Sequence, residues 1–227
     1  MGKIDRLLVL WGEPVAGNRF VIGHLVRSGG QFSFWYDDDL TGAQARGFQR
    51  LPEFPELRRA GDPYFGRYLF ALFAERIPAP TRPDFAAMMV AWGVEHPDDQ
   101  FEVLARSGGI RATDRLELAE YRAPHDDLST PLEFRVAGRR YIPDVAPLHV
   151  EDTVSLRREP DNMADPAAVI VDREGRRAGY VPRQYAQLVG SFLDRGGPLE
   201  AKVVRELLVP DDTGKWVVRV ASRQARR

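Results

Sequence analysis

The stretch Leu156-Arg-Arg-Glu-Pro-Asp-Asn-Met-Ala-Asp165 is followed closely by Ala168-Val-Ile-Val171 and Gly175-Arg-Arg-Ala-Gly-Tyr-Val-Pro-Arg183. The short apolar run predicts a buried strand, and the turn residues after it predict a hairpin that ends near Val181. Apolar residues at helical spacing follow Pro182, and proline is tolerated in the first turn of a helix, so a helix is predicted to begin there. This part of the chain therefore predicts strand, turn, strand and helix in succession.

The sequence on either side of this unit predicts mostly strands. Apolar and polar residues alternate or cluster as in strands over Leu132–Val136, Thr153–Arg158, Leu199–Val209 and Trp216–Ala221, with a turn at Asp211–Gly214. We therefore expect the C-terminal part to be a mostly-β fold with one or two helices.

The N-terminal part mixes both kinds of pattern. Strands are predicted over Leu7–Trp11, Phe20–Val26, Phe32–Tyr36 and Leu116–Tyr121. Helices are predicted from the spacing of Tyr64, Tyr68, Leu69, Leu72 and Phe73, from the capping residues Thr81–Asp84 through Trp92, and from Asp98 to Leu104. We expect an α+β domain here.

The distribution of charge supports a division into two domains. The 227 residues carry 32 Lys+Arg and 33 Asp+Glu, a net charge of −1. Residues 1–127 hold 15 basic and 19 acidic residues, whereas residues 128–227 hold 17 and 14, so the net charges are −4 and +3. The polar, proline-bounded segment from Arg122 to Pro131 is typical of a linker. We predict domains at 1–127 and 128–227.

Three sets of polar residues in the basic domain admit two interpretations. Asn162 and Asp165 stand beside prolines, where such side chains commonly bond their own backbone in a turn, but they could also bond a ligand hydroxyl. Arg140-Tyr141 and Tyr180 with Arg183 each pair a ring with a cation, which can stack a base and hold a phosphate. Tyr141 and Tyr180 could equally be core residues of a barrel.

The combined pattern from Leu156 to Gly196 resembles the HIRAN domain, with the similarity covering roughly Leu132 to Ser222. HIRAN domains occur at the N-termini of fork-remodelling helicases and as modules in bacteria. The resemblance implies an OB-like small β-barrel that captures the 3′ end of single-stranded DNA, and hence a role in DNA repair.

The resemblance also implies roles for individual residues. Arg140 and Tyr141 match the clamp for the terminal nucleotides, while Asn162 and Asp165 match the loop whose acidic residue bonds the 3′ hydroxyl. Arg183 matches a basic phosphate contact, and Tyr180 stands where the eukaryotic domains carry a histidine. Met163-Ala164 replaces proline and an aromatic residue, so one stacking wall of the family's site is missing.

Residues 4–121 resemble the N-terminal subdomain of HipA-type toxin kinases. The similarity lies in Phe32–Tyr36, Leu51-Pro52, Tyr68–Arg76 and Asp99–Gly109. The rest of such a kinase is absent, because the residues from 128 onward form the other domain. This resemblance implies a protein-interaction module, and we expect its partner to be a protein such as a HipA-like kinase or a helicase.

Several function classes have no support in the sequence. There is no nucleophile elbow, P-loop, Rossmann fingerprint or His-Glu-x-x-His pattern, and the absence of cysteine excludes thiolate metal sites. Asp37-Asp38-Asp39 is better explained as a solvated turn than as a cation site. We expect no enzyme activity, no cofactor, no metal and no membrane segment, in a cytoplasmic protein.

The expected function is a non-enzymatic adaptor that binds single-stranded DNA at 3′-hydroxyl ends. One alternative is an antitoxin-like protein that regulates a toxin kinase, and a less favoured one is a hydrolase acting on nucleic acid. A kinase encoded beside the chain would favour the former, and carboxylates converging in one cleft would favour the latter.

Overall fold

The computed structural model describes residues 3–15, 17–55, 61–208 and 215–223. It divides the chain into two compact units, one from Lys3 to Tyr121 and the other from Arg122 onward. Arg122 is fastened within the second unit, because its Nη2 donates to the carbonyls of Thr130 at 2.8 Å and Pro131 at 2.7 Å. These bonds close the predicted linker on itself, and the Leu128 carbonyl within it accepts from the Ser222 amide at 2.9 Å, which ties the segment to the second unit. The predicted turn at Asp211–Gly214 lies outside the described residues.

The first unit is built on an antiparallel sheet. Its strands, in the spatial order β4-β3-β2-β1-β5, are β1 Arg6–Gly12, β2 Arg19–Ser28, β3 Gln31–Tyr36, β4 Tyr64–Gly66 and β5 Leu116–Glu120. Leu7, Leu25 and Phe34 lie in register across the three central strands and are fully buried, which places the core on that face. The strands predicted from alternation are therefore present.

Four short helices accompany this sheet in the described residues: α1 Thr41–Gln44, α2 Ala71–Ala74, α3 Phe85–Trp92 and α4 Gln100–Ser107. The Asp99 carboxylate caps α4 by accepting from the amides of Phe101 and Glu102, as the sequence pattern favours. The helix predicted from the spacing of Tyr64 to Phe73 is wrong in its first half. Tyr64 lies in β4 opposite Phe34, and only Ala71–Ala74 is helical.

The expectation of an α+β first domain is thus met only in part. The sheet dominates, and two of the four described helices are single turns of four residues. Propensity alone does not stabilise so short a helix, and packing against the sheet decides whether it forms. Of the aromatic residues that suggested a longer helix, Phe73 packs with Phe34 and Phe54 in the core, whereas Tyr68 is exposed at the surface.

The second unit contains two antiparallel three-stranded sheets. One has the order β10-β11-β6, from Leu199–Glu206, Trp216–Ser222 and Leu132–Arg135, and the other is β7-β8-β9, from Ser155–Arg158, Val169–Arg173 and Arg176–Tyr180. The predicted hairpin is β8-β9, whose turn places Glu174 and Gly175 at positive φ.

The expected OB-like barrel is not closed over the residues that the structure describes. In the described part of the unit the two sheets are joined by isolated pairings, Ala137 with Tyr180 and Thr153 with Lys202, rather than by a continuous ladder. After β6 the chain turns at Gly138, where φ is +73°, so the strand cannot continue along β9. The domain is mostly β, with sheets that meet at single bridges.

Helix α5, Arg183–Asp194, follows β9 directly. Pro182 precedes its first residue, and Tyr185, Leu188 and Val189 are buried on one face, as the spacing predicts. Gly196-Gly197 follows the end of the helix. Among the described residues, no helix combines the length and apolar character needed to cross a membrane.

Candidate nucleic-acid interface

A 3₁₀ turn, Arg139–Tyr141, presents two of the predicted residues at the surface. The turn begins after Gly138, whose carbonyl accepts from the Tyr141 amide at 3.0 Å. Arg139 is buried, and its guanidinium donates to the carbonyls of Ala146 at 3.1 Å and Ala178 at 2.5 Å. Arg139 therefore anchors the turn, while its neighbour Arg140 is left at the surface.

Arg140 and Tyr141 interact as a cation and a ring. The guanidinium carbon of Arg140 lies 4.6 Å from the centroid of the Tyr141 ring, and its Nη2 donates to the tyrosine hydroxyl. The Tyr141 side chain is 63% exposed, which rules out a place in the core. The turn thus offers a ring face and a positive charge side by side.

Tyr180 lies at the end of β9 and is half-buried. Its backbone is fixed by reciprocal hydrogen bonds with Ala137, at 2.8 Å and 2.9 Å. A Cβ on Gly138 would lie 2.9 Å from Cδ2 of the Tyr180 ring, so the ring packs directly against the backbone of residue 138. The same glycine therefore starts the turn that carries Tyr141 and makes room for Tyr180.

Tyr141 and Tyr180 line the same open cleft of about 450 Å³. This volume is within the range of small-molecule sites. The remaining lining residues are Ile142, Pro143, Asp144, Arg176 and Arg177. Arg176 donates from Nη2 to the carbonyl of Asp144 at 3.1 Å, a neutral partner that leaves its charge available. The cleft combines two aromatic rings with guanidinium groups.

Asn162 shapes the loop after β7. Its Oδ1 accepts from the amides of Ala164 at 2.9 Å and Asp165 at 3.1 Å, and its Nδ2 donates to Glu159 Oε2 at 2.6 Å. The structure thus contains a turn in which the Asn162 side chain bonds its own backbone. Met163, at the tip of this loop, is fully exposed.

Asp165 and Arg183 form the other end of that loop. Oδ1 of Asp165 accepts from the Ala167 amide at 2.9 Å, and Oδ2 accepts from Arg183 Nε at 3.3 Å. Arg183, the first residue of α5, also donates to the Ala164 carbonyl at 2.7 Å, and its side chain is 53% exposed. The carboxylate and the guanidinium therefore lie together at the start of the helix.

Glu159, which the sequence analysis did not single out, connects the loop to the cleft. It accepts from Asn162, from the Tyr180 hydroxyl at 3.0 Å and from Arg177. Burial alone would raise the pKa of Glu159, but the hydrogen bonds from Asn162 and Tyr180 and the charges of Arg177 and Arg157 outweigh it and lower that pKa. Burial and the hydrogen bond to Glu159 raise the pKa of the Tyr180 hydroxyl.

The six predicted residues thus fall into two groups. Tyr141, beside Arg140, shares the cleft with Tyr180, whereas Asn162, Asp165 and Arg183 belong to the loop and the start of α5. Sequence reasoning missed Arg176, Arg177 and Glu159, although they lie within Leu156–Asp165 and Gly175–Arg183. Their charge was visible in the sequence, but the pairing across three segments was not.

No metal centre is formed by the residues the structure describes, since no three His, Cys, Asp or Glu side chains gather there. The run from Asp37 to Asp39 bonds its own backbone. Asp37 Oδ1 accepts from the Asp39 amide at 3.2 Å, and Asp39 Oδ1 accepts from the Thr41 amide at 2.9 Å. This arrangement is the turn that the sequence favoured.

Comparison with known protein families matches residues 131–208 to the HIRAN domain. The chain contains a HIRAN domain. The match spans strands β6 to β10, the loop after β7 and helix α5, and it ends before β11. HIRAN domains are DNA-binding modules, so the match supports nucleic-acid binding by this part of the chain.

Two solved structures are similar to part of this chain. The crystal structure of the HIRAN domain of human HLTF is 21% identical, covers 40% of this chain and 74% of that one, and has a TM-score of 0.34. The crystal structure of a protein from Lactobacillus plantarum, from a structural genomics consortium, is 26% identical, covers 39% and 91%, and has a TM-score of 0.32. A search of curated proteins finds no match to the chain.

The match to the HIRAN family does not extend into the unit from Lys3 to Tyr121. The resemblance of residues 4–121 to the N-terminal subdomain of HipA-type kinases therefore stays a prediction.

Proposed function

We propose that the HIRAN domain of this chain binds single-stranded DNA by capturing its free 3′-hydroxyl end. The observation that carries this proposal is the cleft shared by Tyr141 and Tyr180, with Arg140 stacked on the ring of Tyr141. Two rings on one cleft can hold unpaired bases, which a duplex does not present. Exposed guanidinium groups beside them can neutralise the phosphates of the same strand.

The rings supply most of the binding energy in this proposal. Stacking on an aromatic side chain contributes about 1–3 kcal/mol per base and is tolerant of sequence. Tyr141 offers the more exposed ring, and Tyr180 is held in place by its backbone pairing with Ala137. The two rings compensate for the aromatic residue that Ala164 replaces.

Asp165 supplies the preference for a hydroxyl end. Its Oδ2 faces the Arg183 guanidinium, and this carboxylate keeps lone pairs to accept a hydrogen bond from the terminal hydroxyl. Asn162 orients it through the hydrogen bond to the Asp165 amide. A 3′ phosphate is rejected by its bulk and by repulsion from the carboxylate. Arg140 and Arg183 contact the phosphates within the strand.

The whole chain acts in this proposal as an adaptor without catalytic activity. The HIRAN domain holds the DNA end, and the unit from Lys3 to Tyr121 binds a protein such as a HipA-like kinase or a helicase. Phe65 in the edge strand β4 and Tyr68 just after it are 63% and 84% exposed, which suits such a contact. Labelled DNA incubated with the protein and Mg²⁺ should remain uncut.

Competition between linear and circular single-stranded DNA tests the proposed function. A labelled oligonucleotide bound to the full chain is followed by fluorescence anisotropy while unlabelled linear or circular DNA of the same sequence is added. Linear DNA should displace the label and circular DNA should not, because the circle has no end. Equal displacement would reject end capture, and no binding of the label even at low salt would reject nucleic-acid binding.

A further inference from the structure

The Glu159 carboxylate lies where the loop after β7 meets strand β9. The residue follows the last residue of β7, and its amide donates to the Ala168 carbonyl at 2.9 Å. Its side chain is 16% exposed, so most of the carboxylate is removed from water. A charge in such a place needs partners, because burying it unpaired is costly.

The partners of Glu159 come from both groups of the candidate site. Oε2 accepts from Asn162 Nδ2 at 2.6 Å and from the Tyr180 hydroxyl at 3.0 Å, whereas Oε1 receives Arg177 Nη2. Arg177 Nη1 also donates to the Tyr180 hydroxyl, at 3.2 Å. One carboxylate thus fixes the end-binding loop, one ring of the cleft and one guanidinium.

Arg177 is the partner with the greatest capacity to bind DNA by itself. It lines the cleft, and its side chain is 47% exposed. A guanidinium in that position would bind any backbone phosphate, terminal or internal, because all phosphates along a strand present the same charge and the same oxygens to a cation. Its pairing with Glu159 opposes such a contact.

We propose that Glu159 is a positioning residue that makes the cleft selective for strand ends. It holds the Tyr180 ring in place for the terminal bases, and it keeps Arg177 from acting as a general phosphate contact. This inference rests on the proposed end capture and adds the group that enforces it. Asp144, also in the cleft, contributes a second negative charge against internal backbone.

The substitution Glu159→Gln separates the two roles with little disturbance. The amide oxygen of glutamine can still accept from Asn162 and Tyr180. The amide nitrogen then faces Arg177, so that one donor meets another and the ion pair is lost. Arg177 becomes available to phosphate in this variant. The double variant Glu159→Gln/Arg177→Gln removes that cation again and is the matched control.

The test measures affinity for circular single-stranded DNA, which has no end, as a function of salt. One added phosphate contact steepens the dependence of log K on log salt by about 0.7, or about 2.6-fold more loss of affinity between 50 and 200 mM salt. We expect this change in Glu159→Gln, together with a smaller preference for linear over circular DNA. The double variant should return to the wild-type salt dependence. If Glu159 had only a structural role, its loss would lower the affinity without making the salt dependence steeper.

Two results would overturn the inference. One is a Glu159→Gln protein with wild-type salt dependence and wild-type preference for linear DNA. The other is a double variant whose affinity depends on salt as steeply as that of the single variant. This would show that Arg177 does not supply the added phosphate contact. If the wild type itself does not prefer linear DNA, the proposed function fails before the role of Glu159 is reached, so the two failures are distinct.

The variant Glu159→Asp keeps the test decisive if the glutamine variant does not fold. Its shorter side chain withdraws the carboxylate from Tyr180 and Arg177 but keeps the negative charge nearby. We expect the preference for linear DNA to fall while the salt dependence stays at the wild-type value. An unchanged preference would contradict the positioning role.

Discussion

Gly138 lies directly against the ring of Tyr180. A Cβ on residue 138 would come within 2.9 Å of the ring carbon Cδ2, and the residue has a φ of +73°. Glycine is favoured here for two reasons, since an L residue is strained in this conformation and a side chain would displace the ring. The geometry of one cleft wall therefore depends on the absence of a side chain at this position.

The substitution Gly138→Ala should reduce both stability and DNA binding. The left-handed backbone costs about 1–2 kcal/mol in unfolding free energy for a residue with a side chain, and the shift of Tyr180 opens the cleft. Gly175→Ala is the matched control, because Gly175 has a φ of +81° and nothing within 4 Å of an added Cβ. Urea unfolding and anisotropy measure the two effects. Equal loss of DNA affinity in both variants would contradict the role assigned to the Tyr180 ring.

Removing the exposed ring of Tyr141 should weaken DNA binding without destabilising the protein. The loss of one stacked base, about 1–3 kcal/mol, corresponds to about 5- to 150-fold in Kd. Tyr68→Ala, at another exposed tyrosine, should leave Kd unchanged. Titration of both variants with the same labelled oligonucleotide measures the difference. Wild-type affinity in Tyr141→Ala would exclude that ring from the site.

Arg183 should contribute one phosphate contact that does not depend on DNA sequence. We expect Arg183→Gln to lower the affinity for all single strands and to reduce the salt dependence of log K by about 0.7. Arg82→Gln is the control, since Arg82 is 52% exposed and paired with Asp84 much as Arg183 is with Asp165. Binding isotherms of both variants at several salt concentrations measure this slope. An unchanged salt dependence in Arg183→Gln would show that Arg183 does not contact a phosphate.

The lowered pKa of Glu159 predicts a specific loss of stability in acid. Because the folded state binds the proton less tightly than the unfolded state, the ionised carboxylate stabilises the fold fully above its usual pKa of 4.5. That contribution is lost as the pH falls below this value through the folded pKa. The difference in urea midpoint between wild type and Glu159→Gln should therefore shrink from pH 7 to pH 3.

Other carboxylates with lowered pKa values, Asp37, Asp84, Asp99 and Asp127, are present in both proteins. Their acid effects cancel in the comparison, so the difference isolates Glu159. A difference in midpoint that stays constant over this pH range would show that the charge of Glu159 does not stabilise the fold.

Local sequence patterns predicted most of the strands but failed where a distant partner decided the structure. The hairpin β8-β9 follows from its apolar run and its turn, both of which are local. Tyr64 has the spacing of a helix residue with Tyr68, yet it pairs with Phe34 on the neighbouring strand. The closure of a barrel likewise depends on pairings between remote segments, which alternation along one strand does not encode.

The candidate site shows the same division. The ring and cation of Arg140-Tyr141 are neighbours in the chain, so their pairing with each other could be predicted from the sequence. Glu159 was missed because its partners in β9 stand 18 and 21 residues further along, in register only after the hairpin forms. A carboxylate within a charged run looks like a solvated side chain until its partners are known.

The preference for a hydroxyl end is the central claim, and Asp165→Asn tests it most directly. Asparagine keeps an oxygen to accept from the Ala167 amide, as Asp165 Oδ1 does at 2.9 Å, but it replaces Oδ2 with an amide nitrogen that carries no charge and cannot accept a hydrogen bond. Anisotropy with two oligonucleotides that differ in a 3′ hydroxyl or a 3′ phosphate measures the preference. A hydrogen bond to a charged group contributes about 1.5–3 kcal/mol, so the wild type should favour the hydroxyl by about 10- to 150-fold and the variant by far less. Equal affinity of the wild type for both ends would contradict end capture through Asp165.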